Sequence, residues 1–255
     1  FPGYAAAQPE KVHSWVDIER HERGRYPIAE ANFMPVMCNH CDDAPCMNVA
    51  KDGAIKKRAD GIVIIDPEKS KGQKEIVSAC PYGAVFWNEE KQIPQAWIFD
   101  AHLLDEGWKH PRVEQSCPTN VFRSLKIEDP EMQRIKDEEG LEVLQSELDT
   151  KPRVYYKNLH LMTKCFVGGS VIADINGVEE CAENAAVVLK HKGNEIAQTT
   201  TDAFGEFKID KLDPQSGPYE IDIMSGTVGR LTTTFDLGDE SLYLGTLKLG
   251  RSTAD

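Results

Sequence analysis

From about residue 155 onward, apolar and polar residues alternate in short runs. The predicted strands are residues 169–175, 185–192, 195–201, 205–212, 219–225, 231–237 and 241–249. Turn-forming pairs such as Asn176-Gly177 and Gly193-Asn194 stand between them. Seven short alternating strands with this punctuation predict an antiparallel β-sandwich.

The first half of the chain combines short elements of different kinds. The opening segment, to about Val36, is polar and is interpreted as irregular. AIKKRADGIVIID (54–66) predicts a β-hairpin, because Asp60-Gly61 is a favoured two-residue turn. Residues 67–79 have a helical pattern with Pro67 in the first turn. Further short strands are predicted at residues 84–87, 95–99 and 120–127, and no strong internal repeat is evident.

A charged segment separates these two regions. EDPEMQRIKDEEGLEVLQSEL (128–148) has helical spacing, and Gly140 is expected to divide it into two short helices. The chain is therefore predicted to be an α+β protein with a first domain at 1–127, a helical linker at 128–154 and an all-β domain at 155–255.

The composition excludes several functional classes. The net charge is −13, so the chain lacks the basic surface that nucleic acids or anionic membranes require. No apolar run approaches the roughly 20 residues of a transmembrane helix, and no signal-peptide pattern is present. The sequence opens with Phe1 rather than Met, and we expect that an upstream segment was removed or left out.

Cysteines provide the strongest chemical signal. There are seven, and five of them fall in the first half: Cys38, Cys41, Cys46, Cys80 and Cys117, with Cys165 and Cys181 in the β-rich region. Secreted disulfide frameworks are usually short and evenly paired. An odd, clustered set in an acidic chain of 255 residues indicates a metal centre in a reducing compartment.

Three interpretations compete for CNHCDDAPC (38–46): free thiols, a structural zinc site and a [4Fe–4S] cluster. Zinc sites usually pair two C-x2-C units, or one such unit with two histidines, and neither arrangement occurs here. A cluster would need a fourth, remote thiolate, and in ferredoxin-type modules that cysteine precedes a proline. Cys80-Pro81 and Cys117-Pro118 both have this signature, so the cluster is favoured.

These motifs resemble a known family, the iron–sulfur electron-transfer subunits of DMSO-reductase-family molybdenum or tungsten enzymes. The similar segments are CNHCDDAPC (38–46), KDGAIKKRADGIVIIDPEKS (51–70), ACPYGAVFWNEE (79–90), DAHLLDEGW (100–108), SCPTN (116–120) and KPRVYY (151–156). The β-rich tail is similar to that of the pyrogallol–phloroglucinol transhydroxylase branch. The resemblance implies a degenerate double [4Fe–4S] ferredoxin-like module followed by the sandwich.

Carried over residue by residue, the resemblance implies one complete [4Fe–4S] site, formed by Cys38, Cys41, Cys46 and Cys80. A third group would need cysteines near Ser70, Gln73 and Ile76 with a remote ligand near Ala50, and a fourth would need them at Trp97, Asp100 and Val113. None of these is cysteine, so both clusters are expected to be absent. Cys117 would complete a second cluster only with ligands from an upstream segment; otherwise it is a vestigial thiol.

The implied function is one-electron transfer within an oxidoreductase complex. The partner would be a large catalytic subunit with a bis-molybdopterin Mo or W centre, in a heterodimer or larger assembly, acting on phenolic (polyhydroxybenzene) substrates. The chain itself would be a non-catalytic subunit. The alternative is a scaffold subunit whose cluster only stabilises the fold. We expect a cytoplasmic location, with export to the periplasm alongside the partner as the alternative.

Two further features are interpreted as structural and not catalytic. His102, Asp105, His110 and Asp100 cluster in sequence as an acid–base site would, but capping and surface contacts explain them more simply. TTTDAFGEFKIDKL (199–212) resembles transthyretin-like or Cna-B-like sandwiches, with Gly205 in a turn and Phe207 facing the core. Cys165 and Cys181 are expected to be small buried apolar residues.

Overall fold

The computed structural model describes residues 3–10, 13–226 and 228–250. They divide into two compact units. The first contains the residues up to Glu19 together with Met34–Leu159, and the second contains Arg20–Phe33 together with the residues from His160 onward. The predicted boundaries at residues 127 and 154 differ from this division, because segment 128–154 belongs to the first unit. None of the helices in the described ranges has the length and apolar character needed to cross a membrane.

The opening segment contains a strand pair. Strands β1 (Asp17–Arg25) and β2 (Ile28–Val36) form a two-stranded sheet. The interpretation of this region as irregular was therefore wrong. Charged residues fill most of β1, so the apolar alternation that marks a strand is missing from its sequence. The buried residue of β1 is instead a charged one, Arg23.

The first unit is built on a repeat of thirty residues. Helix α1 (Pro45–Val49) precedes the antiparallel strands β3 (Ile55–Lys57) and β4 (Val63–Ile65). The same order recurs in α2 (Glu75–Ser78), β5 (Val85–Asn88) and β6 (Ile93–Ala96). This repeat was not predicted, because the sequence similarity between its two copies is confined to CMNVAKDGAI (46–55) and IVSACPYGAV (76–85).

One apolar cluster joins the two copies of the repeat. It contains Ile55, Val63 and Ile65 from the first copy, and Ile76 and Val85 from the second. Ile76 is fully buried. Burial of side chains of this size stabilises a fold by about 1.5–3 kcal/mol each, so the cluster fixes how α1 and α2 are placed.

The short predicted elements of the first unit meet different outcomes. The hairpin around Asp60-Gly61 and the strand near residues 84–87 are confirmed, whereas the strand predicted at 95–99 is displaced, since β6 begins at Ile93 and ends at Ala96. The helix predicted at 67–79 is present only at Glu75–Ser78, since the Asp66 carboxylate accepts backbone N–H groups and holds a turn at its start. The strand predicted at 120–127 is wrong, because this extended segment is not assigned to any sheet.

The remaining helices of the first unit are short. They are α3 (Ala101–Asp105), α4 (Arg112–Ser116) and α5 (Asp129–Glu139), followed by a 3₁₀ turn at Ser146–Leu148. Helix α5 ends at Gly140, whose φ of 62° is the left-handed conformation typical of a helix C-terminus. The predicted interruption at Gly140 is confirmed, although the second predicted helix is only the 3₁₀ turn.

From His160 onward, the described residues of the second unit form helix α6 and eight strands. They are α6 (His160–Thr163), β7 (Cys165–Ile175), β8 (Val178–Cys181), β9 (Ala186–His191), β10 (Asn194–Thr200), β11 (Glu206–Leu212), β12 (Gly217–Ser225), β13 (Gly229–Leu237) and β14 (Leu242–Lys248). One sheet has the order β10-β9-β12-β13. The other has the order β11-β7-β14, with β8 also paired to β7.

A single apolar core lies between these two sheets. Val167 and Val171 of β7 contribute from one sheet, and Leu189 of β9 and Ile221 of β12 contribute from the other. All four are fully buried. The all-β prediction for this region is confirmed, with one exception to the antiparallel pattern: β14 pairs with β7 in parallel.

Gly205 gives a first testable prediction. Its φ is +73°, and an added Cβ would lie 2.4 Å from the Val171 carbonyl oxygen. Val171 N–H donates to the Gly205 carbonyl at 2.7 Å. We expect Gly205→Ala to destabilise the second unit by more than about 1 kcal/mol, because alanine is strained at positive φ. Faster hydrogen exchange at the Val171 amide measures the effect.

Gly193→Ala is the matched control for Gly205→Ala. Gly193 also has a positive φ, +79°, but its added Cβ meets nothing within 4 Å. It should therefore show the backbone strain without the steric clash. Equal losses of stability in the two variants would contradict the steric part of the prediction.

Candidate metal centre

Four of the predicted ligands come from two places in the repeat. Cys38 and Cys41 lie on the loop between β2 and α1, and Cys46 lies within α1. Cys80 directly follows α2, whose C-cap is Ala79. Pro45 occupies the first turn of α1, where its missing N–H costs nothing. Pro81 follows Cys80 and prevents the helix from continuing.

The structure brings the four thiols together. Burial raises the pKa of Cys38, and the thiols of Cys46, Cys80 and Cys41 raise it further, while a hydrogen bond from the backbone at His40 opposes them. Burial, with contributions from Cys80 and Cys41, raises the pKa of Cys46 to about 11. Repulsion between the thiolate charges of these cysteines is appreciable only when the cysteines are neighbours. A metal centre would relieve it, because metal binding displaces the thiol protons.

His40 and Lys57 fix the loop that carries Cys38 and Cys41. His40 has a left-handed backbone, with φ at 47°. Its Nδ1 accepts a hydrogen bond from Val63 N–H at 3.1 Å. The Lys57 ammonium donates to the carbonyls of His40 and Cys41 at 2.6 and 3.0 Å. Burial, together with the Lys57 cation, lowers the pKa of His40 to about 3, so the ring is neutral and can accept.

A second segment binds the same loop through its backbone. Asp42 N–H donates to the Lys151 carbonyl at 3.0 Å, and Asp43 N–H donates to the Thr150 carbonyl at 3.1 Å. Arg153 N–H donates to the Asn39 carbonyl at 2.9 Å. A position for segment 150–153 at the metal site was not predicted from the sequence. The only signal was KPRVYY (151–156), one of the motifs that carry the family resemblance.

The residues present fit a [4Fe–4S] cluster. Such a cluster takes four cysteine thiolates, and four thiols meet here. Asn39 and His40 also carry buried polar atoms, Nδ2, Oδ1 and Nε2, that have no hydrogen-bond partner within the described part of the chain. Buried polar groups are normally satisfied, so the two donors, Asn39 Nδ2 and His40 Nε2, are suited to a bound group that offers acceptors. In the described ranges, no three His, Cys, Asp or Glu side chains converge as they would around one metal ion. A four-iron cluster does not require such convergence, because its thiolates bind different iron atoms.

Other family positions are occupied by residues that pack or form hydrogen bonds. The Gln73 side chain accepts from Lys51 N–H at 2.8 Å and donates to the carbonyls of Lys51 and Lys69 at 3.3 and 2.8 Å. Ile76 belongs to the apolar cluster, and Ala50 packs against it. Ser70 is fully buried. No thiol stands at any of these positions.

The region of Trp97, Asp100 and Val113 likewise contains no thiol. Trp97 is buried, and its ring lies 5.0 Å from that of Phe99. Asp100 is buried and forms an ion pair with Arg112 at 2.6 Å. Arg112 N–H also donates to Asp100 at 2.8 Å. This carboxylate is therefore engaged by arginine.

The other three cysteines stand apart from the candidate site. Cys117 follows α4, and hydrogen bonds, first from the Thr119 hydroxyl and then from backbone N–H groups, lower its pKa to about 7. Cys165 is buried, as expected, and its thiol donates to the Asp239 carbonyl at 3.5 Å. Cys181 is exposed at the end of the β8 strand, so the expectation that it is buried was wrong.

Of the four residues in the sequence cluster, Asp100 and His102 line one cavity together with Arg112, whereas Asp105 and His110 are engaged by other residues. Asp105 binds Arg58 at 2.6 Å and accepts from the Tyr4 hydroxyl at 2.9 Å. His110 lies 3.2 Å from both Glu114 and Ser124. Asp100 is held by Arg112. These contacts support the structural interpretation of the cluster.

Four neighbouring thiols on a repeated helix–hairpin framework define a ferredoxin-like iron–sulfur protein. In agreement, residues 29–126 match the family model described as a 4Fe-4S dicluster domain. The predicted ferredoxin-like module is confirmed at this level. The cofactor of the chain is therefore of the [4Fe–4S] type, and the zinc interpretation is discarded.

The similarity to a particular relative extends through nearly the whole chain. The pyrogallol hydroxytransferase small subunit of Pelobacter acidigallici is 46% identical over 253 residues, which are 98% of this chain and 89% of that protein. The chain belongs to the family of iron–sulfur small subunits of oxidoreductases that includes this protein. The predicted resemblance, and the electron-transfer function that it implies, are confirmed.

Two more relatives match over part of the chain. A tetrathionate reductase subunit of Salmonella typhimurium is 35% identical over 50% of this chain and 52% of its own length. The beta subunit of dimethylsulfide dehydrogenase of Rhodovulum sulfidophilum is 35% identical over 40% of this chain and 29% of its own length. All three relatives are named as subunits, which indicates that this chain also has a catalytic partner.

Proposed function

We propose that Cys38, Cys41, Cys46 and Cys80 bind one [4Fe–4S] cluster that carries single electrons to or from a catalytic partner. The observation that carries this proposal is the meeting of four thiols from two separate segments inside a domain of the dicluster class. Such a cluster supplies one-electron oxidation and reduction at a potential that its surroundings determine.

The protein residues around the thiols have defined tasks. The apolar cluster containing Ile76 packs against Cys46 and Cys80 and keeps water from that side. The Lys57 ammonium, bound to the carbonyls of His40 and Cys41, lies beside a site that gains negative charge on reduction, and its charge is partly balanced by an ion pair with Asp42 at 2.7 Å. Burial and nearby positive charge both influence the potential of such a centre.

The partner is proposed to be a large catalytic subunit with a bis-molybdopterin Mo or W centre. Support comes from the family resemblance and from relatives that are named as subunits of oxidoreductases. The most similar of the three relatives compared is named for pyrogallol, so a polyhydroxybenzene is the proposed substrate class of the partner. A cytoplasmic location is proposed because a cluster of free cysteines suits a reducing compartment.

The β-rich unit is proposed to be a transthyretin-like or Cna-B-like accessory domain with a stabilising or docking role. Two sheets around one core support this, as does the Asp202–Gly205 turn, in which the Asp202 carboxylate accepts the N–H groups of Phe204 and Glu206 at 2.9 Å. A second cluster through Cys117 would need ligands from outside the sequence, and it stays a prediction.

A scaffold role is the second candidate function. It is favoured by one observation: residues 29–126 match a dicluster domain but contain only the cysteines Cys38, Cys41, Cys46, Cys80 and Cys117. A second cluster with four cysteine ligands cannot form from these residues. A chain of clusters that lacks some of its members transfers electrons slowly. If the partner catalyses a transhydroxylation, the overall reaction involves no net oxidation, so it does not require a long chain of clusters.

Low-temperature EPR of the complex during turnover distinguishes the two functions. We expect a reduced-cluster signal that rises and decays with the substrate, pyrogallol, and that is missing from a complex containing Cys80→Ala. A cluster that keeps one oxidation state throughout catalysis, although dithionite reduces it in the same sample, would overturn the relay and leave the scaffold.

A further inference from the structure

Two neighbouring side chains between the proposed ligands Cys38 and Cys41 carry buried donors without a partner. They belong to Asn39 and His40, which are only 2% and 5% exposed. Among the described residues, no group forms a hydrogen bond with Asn39 Nδ2, Asn39 Oδ1 or His40 Nε2. Leaving a buried donor unsatisfied is costly, because the group has lost its water. Two such donors side by side therefore indicate an acceptor that the chain itself does not supply.

The hydrogen bond of the His40 ring determines where its proton lies. Nδ1 accepts from the Val63 backbone N–H at 3.1 Å. A ring nitrogen that accepts carries no proton, so the proton of the ring is on Nε2, and Nε2 only donates. The ring lies at the site, because Cys38 Sγ is 3.8 Å from Nδ1. His40 therefore presents a donor of known identity on a ring that contacts a ligand sulfur.

The loop is held in place without the two unpartnered donors. The Asn39 carbonyl accepts from Arg153 N–H at 2.9 Å, and the Lys57 ammonium donates to the His40 carbonyl at 2.6 Å. The Phe99 ring lies 5.8 Å from the His40 ring at an interplanar angle of 89°, and aromatic faces accept N–H groups only weakly. A role in fixing the loop therefore does not explain Asn39 Nδ2 or His40 Nε2.

We propose that Asn39 Nδ2 and His40 Nε2 donate hydrogen bonds to sulfur atoms of the bound cluster and raise its reduction potential. One electron adds one negative charge to the cluster, and N–H donors aimed at its sulfur atoms stabilise the reduced form. Hydrogen bonds to the sulfurs are among the factors that set the potential of such a centre. The proposal rests on the ligand assignment under Proposed function, and it gives both residues a role in electron transfer.

Two substitutions remove one donor each. His40→Asn keeps an amide oxygen that accepts from Val63 N–H in place of Nδ1, and asparagine tolerates the left-handed backbone of this position, where φ is 47°. Asn39→Leu removes the amide and keeps a side chain of similar size. Asn48→Leu is the matched control, because it makes the same change at an exposed position of the first unit.

An EPR-monitored redox titration of the anaerobically purified complex tests the proposal. Dithionite supplies the single electron, and a mediator mixture sets the potential. In the double variant Asn39→Leu/His40→Asn, the ratio of reduced to oxidised cluster at a fixed potential should fall about tenfold, which is a shift of about 59 mV to lower potential for one electron. Each single change should shift the midpoint in the same direction by less. Asn48→Leu should stay near the parent value.

Electron–nuclear double resonance of the dithionite-reduced cluster gives a second measurement. In complex prepared in D₂O, the parent should show exchangeable deuterons coupled to the cluster, and the double variant should lose part of that signal. An unchanged midpoint in the double variant with full iron content would overturn the proposal, as would an equal shift in Asn48→Leu or the persistence of every deuteron coupling.

Two further outcomes are separable. If the double variant cannot retain iron, Asn39→Leu alone decides, and an unchanged midpoint there overturns the proposal. Failure of the ligand assignment has a different sign, because Cys80→Ala would then keep its iron whatever the Asn39 and His40 variants do.

Discussion

Replacing Cys80 with alanine is expected to remove the cluster and destabilise the first unit. Cys80 is the one proposed ligand from the second copy of the repeat, and it packs against the apolar cluster around Ile76. Without it, three thiols remain crowded in a buried site. Iron and acid-labile sulfide should fall more than tenfold. All four tryptophans lie in the first unit, so their fluorescence should report a lower melting temperature.

Two cysteines outside the site provide the controls for this experiment. Cys181 is exposed and Cys165 is buried within the second unit. Cys181→Ser and Cys165→Ser should both keep the full iron content, although Cys165→Ser loses some stability because a hydroxyl replaces a buried sulfur. Equal iron loss in Cys80→Ala and Cys165→Ser would contradict the ligand assignment.

Replacing Arg23 with alanine is expected to destabilise the second unit by about 1.5–3 kcal/mol, since charge-assisted hydrogen bonds of a buried guanidinium are lost and its two carboxylate partners keep only Lys208. The Arg23 side chain is 1% exposed and binds Glu30 at 2.6 Å and Asp210 at 2.8 Å. It also donates to the Lys164 carbonyl at 3.1 Å. Its guanidinium carbon lies 5.3 Å from the centre of the Phe166 ring.

Hydrogen exchange under increasing urea measures this effect. The amides of β7 and β11 should open at lower urea concentration in Arg23→Ala. Arg25→Ala is the matched control, because Arg25 lies on the same strand and binds Glu240, but both side chains are largely exposed. Exposed pairs contribute little, so the control should show little change. Similar destabilisation in the two variants would refute the buried network.

The same network predicts an acid-sensitive contribution to stability. Burial raises the pKa of Asp210, but hydrogen bonds from Arg23, the Lys211 backbone and Lys208 outweigh it and leave the pKa well below its usual range. Lys208 and Arg23 likewise lower the pKa of Glu30 against the effect of burial. A carboxyl whose pKa is depressed by folding stabilises the fold above its unfolded pKa, near 4, and loses that contribution as the pH falls further.

The pH dependence also distinguishes the variants. The parent chain should lose stability in the second unit progressively below about pH 4. Arg23→Ala should lose less over that interval, because it lacks one of the two cationic side chains that depress these pKa values, although Lys208 remains. Parallel pH profiles for both proteins would show that Arg23 is not the source of the effect.

Much of the framework could be predicted because its signals are local. Asp60-Gly61 specifies a tight turn by its backbone preferences, and Gly140 ends α5 for the same reason. Pro81, which stops the preceding helix, marks Cys80 as the proposed remote ligand. The strands of the second unit alternate strongly enough to be recognised one by one, with β8 as the exception.

The features that escaped prediction depend on contacts between distant parts of the chain. The strand β1 is charged along most of its length. Its buried residue is Arg23, whose partner Asp210 is far away in the sequence. Thr150 is an ordinary threonine in a polar segment, and only the folded chain places its carbonyl against the loop of Cys41, where it accepts from Asp43 N–H. The strand expected at 120–127 has a suitable pattern but no pairing strand among the described residues.

The split of the proposed ligands between the two copies of the helix–hairpin repeat has a further consequence. Three of them, Cys38, Cys41 and Cys46, belong with the first copy, and Cys80 belongs with the second. Iron binding would therefore close the chain from Cys46 to Cys80 into a ring, as a crosslink does. Ring closure restricts the unfolded chain and so favours the folded one. Neither copy contains a complete site, and each depends on the other to retain the iron.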